Sequence, residues 1–512
     1  MGGTLLIRAD ADGEIGTGHV MRCLALAQAW QKAGGQVFLL GDVAADAIRR
    51  RLRACDIDFL PISRRHPDPA DLRATLQLVE QSRDELGSGE TIWLAVDGYH
   101  FDAQYLEQVR GADARLLVID DLGRLPPFDA DLVLNQNLGA EQTDYPCDEY
   151  TTLLLGSPYV LLRQEYLARG CPGRKIPELA QNVLVTLGGA DPKNVTGMVA
   201  AGLAEMDLRD LEVRVVVGAA NRHVKSLEQE FGRFPANWRL LKNVDDMPGL
   251  VAWADVAVAA AGTTAWELAF SGLPAALLAL ADHQLPVAER LAAAGAATSL
   301  GRADGLTHER IAAELSGLSK DAALRRRQSE TGPLLVDGRG ASRVVEVMQA
   351  LDEPIPDERL QLRPAVEEDA KPLWRLANAP SVRKNSLSTD PIAWEEHVPW
   401  FRHKLADDTA RIWVLDFEGL ILGQIRYERA GDGTAETSLL VVATFRRRGL
   451  ATMLLEETWQ QACEELRADR VRAVVRRENV ASRLIFVNAD FTETGPAEIR
   501  GCACDVFERP AE

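Results

Sequence analysis

Thr4-Leu5-Leu6-Ile7-Arg8 and, after a short polar turn, Ile15-Gly16-Thr17-Gly18-His19-Val20-Met21-Arg22-Cys23-Leu24-Ala25-Leu26-Ala27 read as a strand, a glycine loop and the opening of a helix. The helical pattern runs from His19 to Ala33 and is closed by Gly34-Gly35. Working outward, Gln36 to Leu40 is a strand and Ala44 to Ala54 a helix. Thr91 to Asp97, Leu116 to Ile119 and Leu132 to Leu134 are further apolar strands. Such alternation predicts a parallel sheet covered by helices. The pattern restarts near Val183, where Val183 to Leu187 runs into Gly188-Gly189. Val213 to Val217, Ala257 to Ala259 and Ala275 to Leu278 continue it. Two consecutive Rossmann-like α/β domains are expected, with a cleft between them and ligands at the carboxyl ends of the strands.

Asp352-Glu353-Pro354-Ile355-Pro356-Asp357-Glu358 is acidic and proline-bearing, and reads as a linker. The remainder has an α+β texture. Two helices precede a hairpin, Arg411 to Leu415 and Leu422 to Tyr427, with Glu418-Gly419 at its turn. The strand Thr437 to Val442, a basic glycine turn and the long helix Thr452 to Leu466 follow. The expected division is 1–170, 171–350, a linker over 351–358, and 359–512.

A chain of 512 residues is too long for one core. Its 46% hydrophobic and 26% charged residues are those of a globular protein, which excludes general disorder. A net charge of -19 argues against nucleic acid or an anionic membrane as partner, though not against a local phosphate pocket. The longest apolar runs, Leu273 to Ala281 and Val251 to Ala261, are too short to span a bilayer. No signal peptide is visible, and the seven cysteines (Cys23, Cys55, Cys147, Cys171, Cys463, Cys502 and Cys504) are scattered and odd in number. Both features predict reduced thiols and a cytoplasmic protein. Cys502 and Cys504 lack further ligands for a metal, so no metal is expected.

Glycines in the loop Gly16-Thr17-Gly18 let backbone N–H groups approach a ligand, and the helix that follows adds partial positive charge suited to phosphate. His19 opens that helix, where the dipole disfavours a protonated ring. A neutral imidazole there is a candidate general base. Simple packing is the competing reading.

The same residues carry a resemblance. Ile7-Arg8-Ala9-Asp10, Ile15 to Ala27, Val96-Asp97-Gly98-Tyr99, Ile119-Asp120-Asp121, Asn135-Gln136-Asn137 and Gly156-Ser157-Pro158-Tyr159-Val160-Leu161-Leu162-Arg163-Gln164-Glu165 resemble, in this order, the UDP-sugar hydrolases of pseudaminic acid biosynthesis. That family is similar in fold to two-domain glycosyltransferases of the B type, but hands its sugar to water. The resemblance implies hydrolysis of UDP-2,4-diacetamido-2,4,6-trideoxy-β-L-altropyranose to UDP and free sugar, with His19 as base and Tyr99 near the sugar. Gly16, Gly18 and Arg22 are assigned to the substrate site. Asp10 and Asp97 either orient His19, meet sugar hydroxyls or cap a helix. Leu187-Gly188-Gly189-Ala190-Asp191 and Ala261-Gly262-Thr263-Thr264-Ala265-Trp266-Glu267 look like the UDP cradle of these hydrolases and of related glycosyltransferases. There Thr263 and Thr264 add hydroxyls, and Glu267 accepts from the ribose. Ala281-Asp282-His283-Gln284 resembles another loop at the ligand, where asparagine is commoner than His283; an asparagine before the glutamate is replaced by Trp266.

In the third block, Arg446-Arg447-Arg448-Gly449-Leu450-Ala451 lies between a strand and a helix, a spacing that suits a pyrophosphate. It resembles the acetyl-CoA motif of the GNAT acetyltransferases. Leu440 and Val441 would run beside the pantetheine arm, with Asn479 and Ser482 also at the cofactor. Phe486 stands where many relatives have a tyrosine that protonates the leaving thiolate, and Asp490 replaces a glycine before Phe491. Glu436 is a candidate general base or an exposed strand-end carboxylate. Val382-Arg383-Lys384-Asn385-Ser386 and Glu396-His397-Val398-Pro399-Trp400-Phe401 resemble the segment covering the acceptor in enzymes that acetylate UDP-4-amino-sugars, where His397 is functional or simply packs. The expectation is a bifunctional enzyme, acetylating a UDP-4-amino-sugar with acetyl-CoA and then removing UDP. A true glycosyltransferase, a non-catalytic acyl-CoA-binding module that regulates the first half, and the same two steps on a different UDP-diamino-sugar isomer are the alternatives.

Overall fold

The computed structural model describes residues 3–85, 90–123, 130–170, 173–206, 211–218, 220–242 and 244–511; Cys171 lies outside them. Three sheets organise the chain. The first is built from β1 (Thr4–Ala9), β2 (Gln36–Gly41), β3 (Asp58–Pro61), β4 (Ile92–Asp97), β5 (Arg115–Ile119), β6 (Leu132–Asn135) and β7 (Thr152–Leu155), in the order β3-β2-β1-β4-β5-β6-β7. The second holds β8 (Asn182–Thr186), β9 (Glu212–Val217), β10 (Trp238–Lys242), β11 (Val256–Ala260), β12 (Ala275–Ala279) and β13 (Thr298–Arg302), in the order β10-β9-β8-β11-β12-β13. The pairings β1–β2, β1–β4, β8–β9 and β8–β11 are all parallel. Every residue of β1, β4, β11 and β12 is buried, because helices cover both faces of a parallel sheet. This is why these strands read as continuous apolar runs rather than as alternating ones.

The third sheet is mixed. It comprises β14 (Gln361–Pro364), β15 (Ala410–Phe417), β16 (Leu420–Arg429), β17 (Thr434–Val441), β18 (Arg470–Arg476), β19 (Thr492–Ile499) and β20 (Cys502–Pro510), in the order β14-β15-β16-β17-β18-β20-β19. The β15–β16 hairpin turns at Glu418 and Gly419, both at positive φ (53° and 84°), the backbone that a tight twisted hairpin needs. Strands β17 and β18 run parallel, pairing from Thr434–Arg470 to Thr437–Ala473. Beyond that the ladder between them stops among the described residues, although β17 continues to Val441 and β18 to Arg476, so the two strands splay apart.

The chain forms two compact units: Met1–Cys147 with Leu153–Glu346, and Asp148–Thr152 with Val347–Glu512. The first contains both parallel sheets. Around the expected linker, the helix Gly340–Asp352 reaches Asp352, and Asp357–Arg359 forms a single 3-10 turn. Three helices (Ala370–Asn378, Pro380–Asn385 and Trp394–Ala406) stand where the sequence reading expects two, because Pro380 starts a new helix after Ala379. The C-terminal hairpin β19–β20 carries Cys502 and Cys504 on β20.

Candidate active site

In the first unit a cleft of about 1170 Å³ is lined by the loops that follow β1, β4, β5, β6, β8, β11 and β12, at their carboxyl ends. Two helix N-termini meet there. The helix Gly18–Lys32 starts after Thr17 and the helix Thr263–Phe270 after Gly262. Neither has a side-chain cap or an acidic residue in its first turn. Their first N–H donors are therefore left for a ligand, and the two dipoles add. The loops are closely apposed: a Cβ at Gly18 would come within 3.5 Å of Thr263 Oγ1, and one at Gly189 within 2.5 Å of Thr17 Cγ2. Gly16 and Gly188 both have φ of 83°, and a Cβ on either would meet nothing within 4 Å.

His19 is 6% exposed and lines this cleft. Its Nδ1 lies 2.6 Å from Asp97 Oδ1. Arg22 clamps the same carboxylate through Nε and Nη2 (2.6 and 2.7 Å), and its Nη1 reaches both oxygens of Asp121 at 2.8 and 2.7 Å. Burial alone would raise the Asp97 pKa, but the charge of Arg22 and the hydrogen bonds from Arg22 and His19 outweigh it and hold the group well below the ordinary carboxylate range. An ionised Asp97 accepts the Nδ1 proton of His19, leaving the Nε2 lone pair for the cleft. This is the tautomer a general base needs. Asp121 is depressed in the same way, burial being overcome by Arg22 and by the Tyr99 hydroxyl, which donates to Asp121 Oδ2 at 2.6 Å. Asn137 Nδ2 donates to Asp121 Oδ1 at 2.9 Å.

Tyr99 keeps 41% of its surface exposed while its hydroxyl is tied down. Its ring meets His19 edge-on with centroids 4.7 Å apart, and His283 lies 4.9 Å away on its other side. Burial lowers the His283 pKa against the pull of Asp121, so this ring is neutral at neutral pH.

The expected residues divide into groups. His19, Tyr99, Gly16, Gly18, Gly188, Gly189, Thr263, Thr264, Glu267, His283 and Gln284 come together around the cleft. Arg22 also lines it, but Nε, Nη1 and Nη2 all end on Asp97 or Asp121, so it holds carboxylates rather than substrate. Asp97 orients His19. Asp10 does not: it is 1% exposed and pairs with Arg8 at 2.6 Å, with His100 at 3.0 Å and with the Asp42 N–H at 2.7 Å. Asp191 caps the helix Val195–Ala204 by accepting from Val195 and Thr196. Gln284 Oε1 takes the Leu280 N–H at 2.9 Å. Glu267 is held by Arg163, whose Nε and Nη2 both donate to Oε1 at 2.9 and 2.8 Å. Sequence reasoning gave no role to Asp121, Asn137 or Arg163. All three stand in stretches quoted for the family likeness, and the available signal was a polar residue just beyond an apolar strand.

In the second unit the turn after β17 has the form of an anion cradle. Arg447 and Gly449 have positive φ (66° and 83°). Gly449 precedes the helix Leu450–Leu466, which has no side-chain cap and no acidic residue in its first turn. A Cβ on Gly449 would meet nothing within 4 Å. The edges of Ser438–Leu440 and Val474–Val475, beyond the last β17–β18 pair, leave backbone groups available in the splay. This donor set fits acetyl-CoA, whose pyrophosphate the turn would hold and whose amide arm the splay would pair with.

The arginines contribute less than expected. Arg448 donates to the carbonyls of Ala350, Leu351 and Glu353, the C-terminal end of the helix Gly340–Asp352, where a cation is favoured. Arg446 Nε bonds Val441 O at 3.0 Å, and Arg447 alone of the three is exposed. Asn479 caps the helix Val480–Asn488: Oδ1 accepts the Ser482 N–H and Nδ2 donates to Ser482 Oγ, so both ends of the amide are engaged. Phe486 is buried against Phe491 and Phe507. Asp490 has φ of 58°, which explains why glycine is the usual residue there. His397 packs, stacked on Phe401 with Nε2 on Ala370 O. Glu436 is exposed on β17, directly opposite Glu428. Among the described residues no group of His, Cys, Asp and Glu is placed to hold a metal ion, and no helix is long and apolar enough to cross a membrane.

Residues 359–492 match the acetyltransferase (GNAT) domain and residues 182–332 the glycosyltransferase family 28 C-terminal domain. The spore coat polysaccharide biosynthesis protein SpsG of Bacillus subtilis is 26% identical over 284 residues, 55% of this chain and 83% of that protein. A UDP-N-acetylglucosamine–N-acetylmuramyl-(pentapeptide) pyrophosphoryl-undecaprenol N-acetylglucosamine transferase of Shewanella loihica is 28% identical over 346 residues, 62% of this chain and 88% of its own. An N-acetyltransferase structure from Staphylococcus aureus covers 30% of this chain and 99% of its own, at 22% identity and a TM-score of 0.27. The chain thus joins a part similar to glycosyltransferase family 28 and to SpsG with a part that matches the acetyltransferase (GNAT) domain.

Proposed function

We propose that the chain performs two consecutive steps on one UDP-amino-sugar: 4-N-acetylation by the GNAT domain, then hydrolysis of the UDP linkage in the first unit. The observation that carries the hydrolytic step is His19, fixed by Asp97 and lining the cleft in which two uncapped helix N-termini meet. Water attacks the anomeric carbon, His19 Nε2 takes its proton, and the bond to the UDP oxygen breaks. The charge that develops on the diphosphate is met by the N–H donors at Thr17–Gly18 and Gly262–Thr264. Tyr99 and His283 form the wall against which the sugar ring lies, and Glu267 faces the ribose. No metal is invoked.

In the acetyl step the sugar amine attacks the thioester carbonyl and CoA leaves as a thiolate. Phe486 offers no proton to it, so solvent does. Glu436 is our candidate for taking the amine proton. The substrate that best fits the family likeness is the UDP-4-amino-4,6-dideoxy-N-acetyl-β-L-altrosamine of pseudaminic acid biosynthesis, with UDP-2,4-diacetamido-2,4,6-trideoxy-β-L-altropyranose as the intermediate.

Proton NMR of the full chain given this UDP-amino-sugar and acetyl-CoA tests the reading. Wild type should yield UDP and free diacetamido sugar, and His19→Ala should stop at the acetylated UDP-sugar. A wild type that never forms the acetylated species overturns the acetyl step. The likeness to the N-acetylglucosamine transferases supports a second reading, transfer to an acceptor other than water. UDP release that requires an added acceptor would decide for it.

A further inference from the structure

Asp148–Thr152, encoded after β6 and ending on the first residue of β7, belongs to the second unit. Within it, Glu149 Oε2 accepts from Ser381 twice, from Oγ at 2.5 Å and from N at 3.2 Å. Tyr150 O accepts from Thr444 Oγ1 at 2.9 Å. Ser381 stands in the first turn of the helix Pro380–Asn385, and Thr444 in the turn leading into the pyrophosphate cradle. The same strap thus touches a second segment and the cofactor loop.

The second segment has a clear relation to the splay. Arg476 ends β18 at the mouth of the splay, and its Nη1 donates to the carbonyls of Lys384 and Ser386 at 3.0 and 3.3 Å. Pro380–Ser386 is therefore fixed at one end by Glu149 and at the other by Arg476, beside the opening through which an acceptor amine must approach the thioester. A six-residue helix does not hold itself together in water, so its position depends on such ties. A carboxylate accepting two bonds at the helix start is the strongest kind available to a half-exposed segment.

Building on the acetyl-transfer reading, we propose that Glu149 is a positioning residue for that reaction: it seats Pro380–Ser386 at the mouth of the splay and so fixes the wall the acceptor sugar meets. The acetyltransferase is then completed by a strap from the other half of the gene, which gives the fusion a structural reason beyond tethering.

The test uses the full chain with Glu149→Ala, Glu149→Gln and Ser381→Ala. Glu149→Ala should raise the KM for the UDP-amino-sugar about tenfold with kcat within about twofold. Glu149→Gln should recover most of this, because an amide oxygen still accepts from both Ser381 donors. Glu149→Ala with Ser381→Ala should be no worse than Glu149→Ala alone. UDP release from sugar that is already acetylated should not change in any variant. Amide hydrogen exchange over 382–386 should quicken about tenfold in Glu149→Ala. An acceptor KM within twofold of wild type overturns the proposal. Unchanged exchange overturns it too, whether or not the wild type turns over the sugar. A wild type that acetylates nothing sinks the acetyl-transfer reading itself, a result separable from both.

Discussion

Asp97→Asn changes one atom in the buried chain that sets the His19 tautomer. The wild-type carboxylate takes Arg22 Nε at 2.6 Å, Arg22 Nη2 at 2.7 Å and the His19 Nδ1 proton at 2.6 Å. An asparagine has a single oxygen for these donors. Arg22 is permanently charged and claims it, so the new NH2 faces His19 Nδ1. The ring must then accept at Nδ1 and carry its proton on Nε2, where it can no longer take one from water. A buried base in the wrong tautomer loses about 10³- to 10⁴-fold in kcat, or about 4–5.5 kcal/mol of barrier at 1.36 kcal/mol per decade. Loss of one charge partner from buried Arg22 costs about 3 kcal/mol of stability, softened because Asp121 still pairs with it. The assay is the initial rate of UDP release from the acetylated UDP-sugar, followed by phosphorus NMR, with thermal unfolding in parallel. KM should stay within about threefold, since the cleft keeps its shape. Asp97→Asn combined with His19→Ala should be no slower than His19→Ala alone. A folded Asp97→Asn with kcat within tenfold of wild type would refute the assignment of base and orienter.

Four further outcomes follow from the geometry. Gly189→Ala puts a Cβ within 2.5 Å of Thr17 Cγ2, so the two phosphate loops must part; UDP affinity by calorimetry should fall about tenfold while the fold persists. Arg448→Met removes three bonds to the end of the helix Gly340–Asp352, and should lower stability by about 1–3 kcal/mol with little change in the KM for acetyl-CoA; the reverse pattern would return Arg448 to the cofactor. Asp490→Gly relieves a left-handed backbone costing about 1–2 kcal/mol against about 0.4–1 kcal/mol of added chain entropy, so Tm should rise slightly. Asp97 and Asp121 have folded pKa values below their unfolded ones, so the unfolded chain binds more protons. Their stabilisation is complete above the unfolded value of roughly 4 and is lost as pH falls through the folded values. Unfolding free energy should therefore drop steeply below about pH 4, and a flat profile there would contradict the buried clamp.

Much of the scaffold is legible in the sequence because strand burial on both faces writes itself as unbroken apolar runs, as in Ile92-Trp93-Leu94-Ala95-Val96 and Ala275-Ala276-Leu277-Leu278. Glycine loops between such a strand and a helix were equally readable, and Gly16, Gly188 and Gly449 do stand at positive φ. Partner choice among charges was not readable. Asp10 and Asp97 both follow apolar strands, yet one is drawn to Arg8 and the other to Arg22 and His19. Arg448 sits in a basic triplet with Arg446 and Arg447 but points to a helix end encoded almost a hundred residues earlier. These pairings depend on which side chains the fold brings within about 3 Å, and periodicity carries no information about that. The strap at Glu149 escaped for the same reason: Asp148–Thr152 has no pattern of its own, and its partners lie at Ser381 and Thr444.

The arginines also bear on how a chain of net charge -19 would accept two anionic ligands. Several near the two sites are occupied: Arg22 by Asp97 and Asp121, Arg163 by Glu165 and Glu267, Arg448 by carbonyls, whereas Arg50 and Arg51 also line the cleft and Arg447 is exposed at the cradle. With these three guanidiniums occupied, backbone N–H groups at the starts of Gly18–Lys32, Thr263–Phe270 and Leu450–Leu466 are donors for phosphate charge, each helix terminus contributing about 0.3–1 kcal/mol and up to about 2 kcal/mol when partly buried. Donors of this kind are oriented before the ligand arrives and need no side chain to be ordered on binding. They also hold UDP loosely enough to release it, which a cleft of free guanidiniums would not. Affinity for UDP should on this account depend weakly on ionic strength, because neutral dipoles shed no counterions and act at contact range, inside a Debye length of about 10 Å at 0.1 M salt. A calorimetric Kd that rises more than about tenfold between 50 and 500 mM salt would show that free cations, not helix termini, hold the diphosphate.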